Sequence, residues 1–476
     1  MKAKITSMIL LSTILSLLLP PAAYTADKSN ADDQIELEVT VYNANLGLVK
    51  DTRTVDLEKG EGEVRFMDVA AHIMPPTVHV KSLDGPEDFR ILEQNYEYDL
   101  MNANKLLDKY VGKKVKLMDK NKYQDRTEIV EATLLSNNQG QIFQIDDEIY
   151  LGHPGVRILP EIPENLIAQP TLMWLYATQK SGHQKIEVSY LTNNINWKAD
   201  YVVVLNPNDT ECDLSGWVTL NNTSGTEYKN TTLKLVAGDV NRVIDRHMRR
   251  RDVGYAAKSV MAEEAGFQEE SFFEYHLYDL QRKTTIKNNQ TKQIRLIEAF
   301  DVGCWKEFRV FGNTYWFTQQ YHSNDYKVPV NVYVLFENSQ ENNLGMPLPG
   351  GIMRLYKKDS KGAQQFIGED RIEHTPKKEK VKLKIGEAFD VVAERRQTDY
   401  KRITTRLHES EWEIKLRNRK EEPITVKLVE PLHGNWQVIQ NSHSYTKKDA
   451  FTIEFDIPVQ PDEEVKVTYR VQVGLK

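Results

Sequence analysis

Aromatic side chains that could recognise a ligand are concentrated in one short part of the sequence. The segment FGNTYWFTQQYHSND is interrupted by Gly and Asn and contains Tyr315, Trp316 and Tyr321, with Trp305 a few residues earlier. A loop of this composition can expose flat rings to a sugar or to a partner surface. The same residues have high β propensity, so the alternative is a strand that buries alternate rings. We therefore take Trp305, Tyr315, Trp316 and Tyr321 as candidate binding residues and leave both interpretations open.

Patterns typical of catalytic or metal-binding sites are weak in this chain. The sequence has no HExxH pair, Walker phosphate loop, nucleophile elbow or EF-hand loop. Its 11 histidines are scattered, and among 69 acidic residues any chosen pair of carboxylates carries little information. No catalytic residue can be named and no cofactor or metal site is predicted. Whether the protein is an enzyme stays open.

The chain has two cysteines, Cys212 and Cys304. In an exported protein they could form a single disulfide. Two separate buried thiols are the alternative, because the sequence does not give the Cα distance that a disulfide requires. Two cysteines so far apart in sequence do not resemble a zinc site with paired cysteine ligands.

Residues 1–26 have the composition of a secretory signal peptide. Lys2 and Lys4 precede an apolar run from Met8 to Leu19 that is too short to span a bilayer, and small residues follow it. No later apolar run is long enough to cross a membrane, so we expect no membrane span after signal removal. The protein is predicted to be exported, to the periplasm or the cell surface. Its net charge of −7 argues against a general affinity for nucleic acid.

Alternation of apolar and polar residues predicts a mainly-β, multi-domain protein. From Ile186 to Val240, runs rich in β-branched and aromatic residues are separated by clusters of Asn, Pro, Asp, Thr, Ser and Gly. This pattern is typical of consecutive strands joined by tight turns, and its recurrence favours β-sandwiches. The predicted domains are a small N-terminal β domain (33–100), a small β-barrel (103–160), a β-sandwich with a flexible insertion at 241–268 (165–345) and a C-terminal β-sandwich (346–476).

Four tryptophans lie in predicted strands: Trp197, Trp217, Trp412 and Trp436. Large aromatic side chains in such positions usually fill a core. We predict that all four are core residues.

The segment from Lys105 to Leu159 resembles an Sm-like or SH3-like barrel. It opens with LLDKYVGKKVKL, which predicts a short helical turn before the first strand, and continues with EATLLSNNQGQIFQI. Sm-like proteins bind RNA through an Asp/Asn loop and a later Arg-Gly pair. Here Asn137 and Asn138 lie near the first loop, and no matching Arg-Gly pair follows. We expect a barrel used for packing or protein contact, with RNA binding as the alternative.

Motifs in the second part of the chain resemble a bacterial family. They include YLTNNINWKADY, LSGWVTLNNTSGTEYKNTTLKLVAGDV, FFEYHLYDLQRKTTI, LPGGIMRLYKKDSKGAQQFIGEDRIEHT and IKLRNRKEEPITVKLVEPLHGNWQV. From about Leu172 to the end, this set is similar to the domain-of-unknown-function family that includes the mucoidy-inhibitor A proteins. Those proteins usually carry a long coiled-coil insert, whereas this chain has the barrel-like segment there and no sustained heptads. The resemblance implies an exported β protein of undefined biochemistry and offers no catalytic residues to transfer.

These observations favour a non-enzymatic envelope protein that contacts another protein or a cell-surface polymer. Sheets with open edges suit contact by surface or by strand addition. The alternative is a hydrolase that acts on envelope glycan or peptide through carboxylates in a loop cleft. The sequence does not determine the oligomeric state.

Overall fold

A computed structural model describes residues 27–97, 102–121, 126–162, 169–238, 240–241, 267–321 and 325–474. The predicted signal peptide and nearly all of the predicted insertion at 241–268 lie outside the described residues. Strands dominate the described chain, and they form several separate sheets. The mainly-β, multi-domain prediction is therefore confirmed.

The strands alternate buried and exposed side chains and follow one another through short turns. In the first part of the chain they are β1 (Asp27–Ser29), β2 (Gln34–Tyr42), β3 (Leu46–Leu57), β4 (Gly60–Met67), β5 (His79–Ser82), β6 (Phe89–Glu97), β7 (Lys114–Asn121), β8 (Arg126–Ser136), β9 (Ile142–Ile145), β10 (Glu148–Leu151), β11 (Val156–Ile158), β12 (Thr171–Thr178), β13 (Gly182–Asn193), β14 (Ile195–Leu205), β15 (Glu211–Asn222) and β16 (Tyr228–Ala237).

The remaining strands follow a gap in the described chain. They are β17 (Phe267–Phe272), β18 (Tyr275–Leu280), β19 (Thr284–Ile286), β20 (Gln290–Phe311), β21 (Tyr326–Val328), β22 (Asn331–Glu337), β23 (Gly351–Lys358), β24 (Gln364–Ile372), β25 (Lys380–Glu387), β26 (Val391–Arg402), β27 (Leu407–Asn418), β28 (Ile424–Pro431), β29 (Asn435–Asn441), β30 (Thr446–Asp449), β31 (Thr452–Val459) and β32 (Glu464–Gly474). The described residues include one α-helix, α1 (Ala103–Tyr110), and short 3-10 turns at Ala31–Asp33, Pro75–Thr77, Thr314–Phe317 and Gln340–Asn342. With eight residues, α1 cannot cross a membrane, and no other described helix is long and apolar enough to do so.

The chain divides into two compact units. Unit 1 spans Met1–Glu36 and Lys50–Tyr190, and unit 2 spans Leu37–Val49 and Leu191–Lys476. The four domain boundaries that the sequence suggested stay a prediction.

Unit 1 contains a four-stranded sheet in the order β1-β4-β12-β6. Strand β12 lies between β4 and β6 and pairs antiparallel with both. Phe66 and Trp174 are buried in contact in this sheet, with ring centroids 5.3 Å apart. The buried guanidinium of Arg53 lies 3.7 Å from the Phe66 ring centroid and pairs with Asp51 at 2.7 Å. This sheet therefore has its own packed core.

The segment predicted to be a small barrel forms a five-stranded antiparallel sheet in the order β10-β9-β8-β7-β11, with the predicted helical turn present as α1. Its core contains Tyr110, Leu117 and Phe143. The terminal strands β10 and β11 are only 4 and 3 residues long, and they are not paired with each other among the described residues. Barrel closure requires the outer strands to hydrogen-bond together. The predicted small barrel is therefore an open five-stranded sheet in the described residues, and not a closed barrel.

Unit 2 contains a large sheet and a smaller one. The large sheet has the order β24-β23-β14-β15-β20-β28-β31-β30, with β22 and β25 added beside β20, which makes ten strands. The smaller sheet has the order β21-β26-β27-β32-β29. One core cluster combines Val426 and Phe455 from the ten-stranded sheet with Trp412 and Val467 from the five-stranded sheet. Apolar faces of two sheets packed in this way form a β-sandwich at the C-terminal end of the chain.

Strand β20 is unusually long, with 22 residues. Its first half pairs with β15, and its second half pairs with β22 and β28. Asp301 adopts a positive φ of 53° near the change of partners, and the β15 register shifts there. A β-bulge of this kind lets one strand bend from one set of neighbours to the next.

Candidate binding site on the ten-stranded sheet

The predicted aromatic loop packs mainly on the C-terminal core. Trp316 and Tyr321 are half-buried, and their ring centroids lie 6.0 Å and 6.2 Å from that of the fully buried Trp412. The amide of Tyr321 also donates to the side chain of Gln397 at 2.8 Å. The local backbone at Thr314–Phe317 is a 3-10 turn rather than a strand. Trp316 and Tyr321 therefore pack against the sandwich core.

The other two aromatic candidates are more exposed, but they do not share a pocket. Tyr315 is 71% exposed at the 3-10 turn. Trp305 lies on β20 and is 37% exposed, with its indole N–H directed at Glu307 and the Lys380 ammonium 5.6 Å from its ring centroid. The structure thus brings Trp316 and Tyr321 together around Trp412 and leaves Tyr315 and Trp305 as separate surface rings. Their role in binding stays a prediction.

A buried ion pair explains why this loop is held in place. Arg395 and Glu430 are both fully buried and form a salt bridge, and an Arg395 guanidinium N–H donates to the Tyr469 hydroxyl at 3.2 Å. The guanidinium carbon lies 4.7 Å from the ring centroid of Trp316 and 5.4 Å from that of Trp412. Burial alone would lower the pKa of Arg395, but the charge of Glu430 outweighs it and raises that pKa. The arginine is therefore a fixed cation beneath the aromatic cover.

A different group of side chains forms an open pocket on the outer face of the ten-stranded sheet. Strand register places Asp200 of β14 opposite Trp217 of β15 and opposite Ile352 of β23. Trp217 is in turn opposite Arg295 of β20. The resulting pocket has a volume of about 420 Å³. Its polar and aromatic lining comes from four neighbouring strands and comprises Lys198, Asp200, Trp217, Thr219, Gln293 and Arg354.

Asp200 is the centre of the hydrogen-bond network in this pocket. Its carboxylate accepts from the Thr219 hydroxyl at 2.8 Å and from the Arg354 guanidinium at 3.2 Å, and the Lys198 ammonium lies 3.5 Å away. Gln293 donates to the Thr219 hydroxyl at 3.3 Å, which extends the network to β20. Burial would raise the pKa of Asp200, but these hydrogen bonds and charges outweigh it and lower that pKa below its ordinary value. Asp200 is consequently a fixed anion that can accept hydrogen bonds.

Trp217 is the aromatic wall of the pocket, and its prediction as a core residue is wrong. Trp197 and Trp412 are buried as predicted, and the half-buried Trp436 packs against the C-terminal core, whereas the half-buried Trp217 lines the pocket. The alternation along β15 explains the difference, because Val218 and Leu220 point into the core and Trp217 points to the opposite face of the strand. The alternation within LSGWVTL contained this signal.

The two cysteines are neighbours on β15 and β20. Both are buried free thiols, and Cys212 lies opposite Val302, two residues before Cys304. The hydrogen bond between the thiols raises the pKa of Cys212, and burial raises it further; the same hydrogen bond lowers the pKa of Cys304, against the opposing effect of burial. Cys304 is therefore the thiol that loses its proton first. A disulfide between Cys212 and Cys304 stays a prediction.

The asparagines that resemble an RNA-binding loop are engaged within unit 1. The Asn137 side chain donates to the Asn104 carbonyl at 3.2 Å and to the Asp108 carboxylate at 2.9 Å. Both acceptors belong to α1, so Asn137 fixes the helix against the loop after β8.

The described residues contain no cluster of three or more His, Cys, Asp or Glu side chains suited to a metal ion. The pocket on the ten-stranded sheet has one carboxylate, and several donors surround it. This arrangement can hold a ligand by stacking and hydrogen bonding.

Comparison with protein-family models gives a match to the second part of this chain. A family model described as "Domain of unknown function (DUF4139)" matches residues 186–475, which cover the pocket and the C-terminal sandwich. No curated protein matches the chain.

Proposed function

The chain belongs to the DUF4139 family, and from that premise we propose that it is an exported, non-enzymatic envelope protein that binds another protein or a cell-surface polymer. The observation that supports this proposal is the open pocket at Trp217 on the outer face of the ten-stranded sheet. Export follows from the predicted signal peptide. The kinship with mucoidy-inhibitor A proteins rests on the motifs after Leu172 and is part of the same proposal.

The composition of the pocket favours binding over hydrolysis. Glycoside hydrolysis ordinarily needs two carboxyl groups that face each other across the scissile bond, one of them protonated. Asp200 is the one carboxylate in the pocket lining, and its lowered pKa keeps it ionised. A hydrolase acting through loop carboxylates would therefore need a second acidic group that this lining does not supply.

The rigidity of the pocket also suits a binding site. Its side chains project from strands rather than from loops, and β14 pairs with both β15 and β23 along its length. Side chains fixed on regular elements hold a ligand with little loss of conformational entropy on binding.

Binding to isolated cell envelopes tests this proposal. Purified protein without residues 1–26 is sedimented with envelopes of the source organism, and Trp217→Ala is compared with the unchanged protein. We expect Trp217→Ala to weaken binding about tenfold or more, which corresponds to roughly 1.4 kcal/mol. Tyr315→Ala tests the aromatic loop, the other candidate site. Phe389→Ala is the matched control, because Phe389 is a well-exposed aromatic residue of the same unit that belongs to neither site.

The two variants separate the candidate sites. Unchanged binding by Trp217→Ala would exclude the pocket, and a loss confined to Tyr315→Ala would favour the aromatic loop instead. Circular dichroism and thermal melting of each variant verify that its fold is retained. Fractionation that leaves the full-length protein in the cytosol would contradict export.

A further inference from the structure

The pocket at Trp217 has the chemistry of a carbohydrate subsite. Building on the function proposed above, we propose that it binds one unit of a neutral, hydroxyl-rich saccharide. The ligand would pack a C–H face against the Trp217 indole and direct its hydroxyls to Asp200, Arg354 and Gln293.

Trp217 lines the pocket from β15, between the strands that carry the other lining residues. Arg295 lies on β20, on one side of β15, with its guanidinium carbon 5.7 Å from the Trp217 ring centroid. Asp200 and Arg354 belong to β14 and β23, which lie on the other side of β15, and both line the pocket. Trp217 therefore lies between Arg295 and the Asp200–Arg354 pair, and Gln293 of β20 also lines the pocket. Flat, rigid indole rings provide contact area at a low cost in conformational entropy, and one end can stay wet.

The polar floor offers both acceptors and donors, as sugar hydroxyls require. Each Asp200 oxygen already accepts one hydrogen bond, and a carboxylate has about four lone-pair positions, so acceptor capacity remains. Arg354 and Gln293 each have N–H groups beyond those used on Asp200 and Thr219. A hydroxyl placed here can donate to the carboxylate and accept from the guanidinium or the amide. Such a ligand satisfies groups that an apolar one would leave unpaired.

The charges around the pocket favour a neutral ligand. Three cations border it, and each has an acidic partner. Arg295 pairs with Glu298 at 2.6 Å and Arg354 pairs with Glu369 at 3.3 Å, while Lys198 lies 3.5 Å from Asp200. An acidic polymer would meet a carboxylate for every cation. The local field therefore gives a polyanion no net attraction, in contrast to sites that use unpaired Arg and Lys.

The size and openness of the pocket suit part of a longer chain. Its volume of about 420 Å³ lies within the range of small-molecule sites. The pocket is built on the outer face of a sheet, so a polymer can continue along that face from a unit bound at Trp217. This geometry suits an internal unit of a glycan as well as its end.

Two chemical treatments of the envelopes identify the partner class. Periodate cleaves vicinal diols of sugars, whereas a general protease removes protein. We expect periodate treatment to reduce binding of the protein about tenfold or more and protease treatment to leave it unchanged. Loss on protease treatment alone would overturn the saccharide assignment and leave the proposed envelope binding intact.

Defined sugars test the pocket directly. Isothermal titration with cellohexaose and maltohexaose, and with polygalacturonate as the acidic comparison, uses the full mature protein. We expect binding of a neutral sugar that Trp217→Ala and Asp200→Asn each weaken at least tenfold, that Trp217→Phe partly retains, and that the control Phe389→Ala leaves unchanged. Tighter binding of polygalacturonate that weakens with added salt would overturn the neutral assignment.

The remaining outcomes also separate the two proposals. Sugar binding at Trp217 without envelope binding would support the subsite and contradict the envelope role. Periodate-sensitive envelope binding that needs Trp217, without affinity for either hexasaccharide, would still support the subsite for another glycan. Absence of binding in every arm would overturn both.

Discussion

Replacing one partner of the buried ion pair in the C-terminal sandwich should lower the free energy of unfolding far more than replacing both partners. Arg395 and Glu430 have no solvent exposure, and the Arg395 Nε and one Glu430 oxygen have no hydrogen-bond partner among the described residues. The two charges thus neutralise each other, but one nitrogen of Arg395 and one oxygen of Glu430 lack hydrogen bonds. We predict that Arg395→Met and Glu430→Leu are each strongly destabilising, and that the double variant loses less stability than either single variant.

The expected magnitudes follow from which group each variant leaves buried. A single substitution leaves one uncompensated charge in the core, which costs about 3–5 kcal/mol of unfolding free energy. The double variant removes both charges, and replacing a buried pair by apolar residues is often neutral or stabilising. It does leave the Tyr469 hydroxyl without Arg395, its hydrogen-bond donor. An unpaired buried hydroxyl costs about 1–3 kcal/mol, and adding Tyr469→Phe should restore most of that loss.

Urea denaturation monitored by tryptophan fluorescence and circular dichroism measures these differences. The double-mutant cycle should yield a coupling free energy of several kcal/mol between Arg395 and Glu430, with coincident transitions for the two probes. Additive single effects would refute the reasoning, because they would mean that neither charge depends on the other. The substitution Tyr315→Ala is the control, since this exposed residue should change stability by about 0.5 kcal/mol or less.

Three further predictions concern the disulfide, an ion cluster and a glycine. Under oxidising conditions Cys212 and Cys304 should form a disulfide that closes a loop of about 90 residues and adds about 4 kcal/mol of stability. Thiol titration, and denaturation with and without reductant, measure this. Two titratable thiols after oxidation would contradict the prediction. Arg470→Leu should destabilise the protein more at pH 7 than at pH 4, because Arg470 lies 2.6 Å from Glu409 and contacts two further carboxylates. The hydrogen bonds of Gln472 and Arg470 lower the folded pKa of Glu409, so its contribution is present above the unfolded pKa and declines as the pH falls; equal losses at both pH values would exclude this cause. Gly312→Ala should cost about 1–3 kcal/mol in a denaturation experiment, because its Cβ would collide with the carboxylate of the buried ion pair, and a neutral result would show that this carboxylate can move.

Strand positions could be predicted well because the alternation of side chains is local. In β27, apolar and polar residues alternate in the sequence, and Trp412, Ile414 and Leu416 are all buried on the same face. One face of this strand meets the core, so the sequence pattern and the fold carry the same information.

The pocket could not be predicted because it depends on pairing between distant parts of the chain. Asp200 and Arg354 meet only because β14 and β23 pair in parallel, and no local pattern specifies that neighbour. The phase of Trp217 was available from sequence, but an exposed tryptophan on a strand becomes informative only once its cross-strand neighbours are known. The packing of Trp316 could not be predicted for a related reason, because Trp412 and Arg395, which hold it, belong to other strands.

The length of β20 has a consequence for how unit 2 unfolds. At about 3.3 Å per residue, this single ribbon extends roughly 70 Å, and it is hydrogen-bonded first to the strands around the pocket and then to the strands of the C-terminal sandwich. Unfolding either half of β20 would also destabilise the hydrogen bonds that hold the other half to its neighbouring strands. Amide protons in the middle of β15 and of β28 should therefore exchange with solvent through one shared opening event, and heating should unfold both regions in a single step.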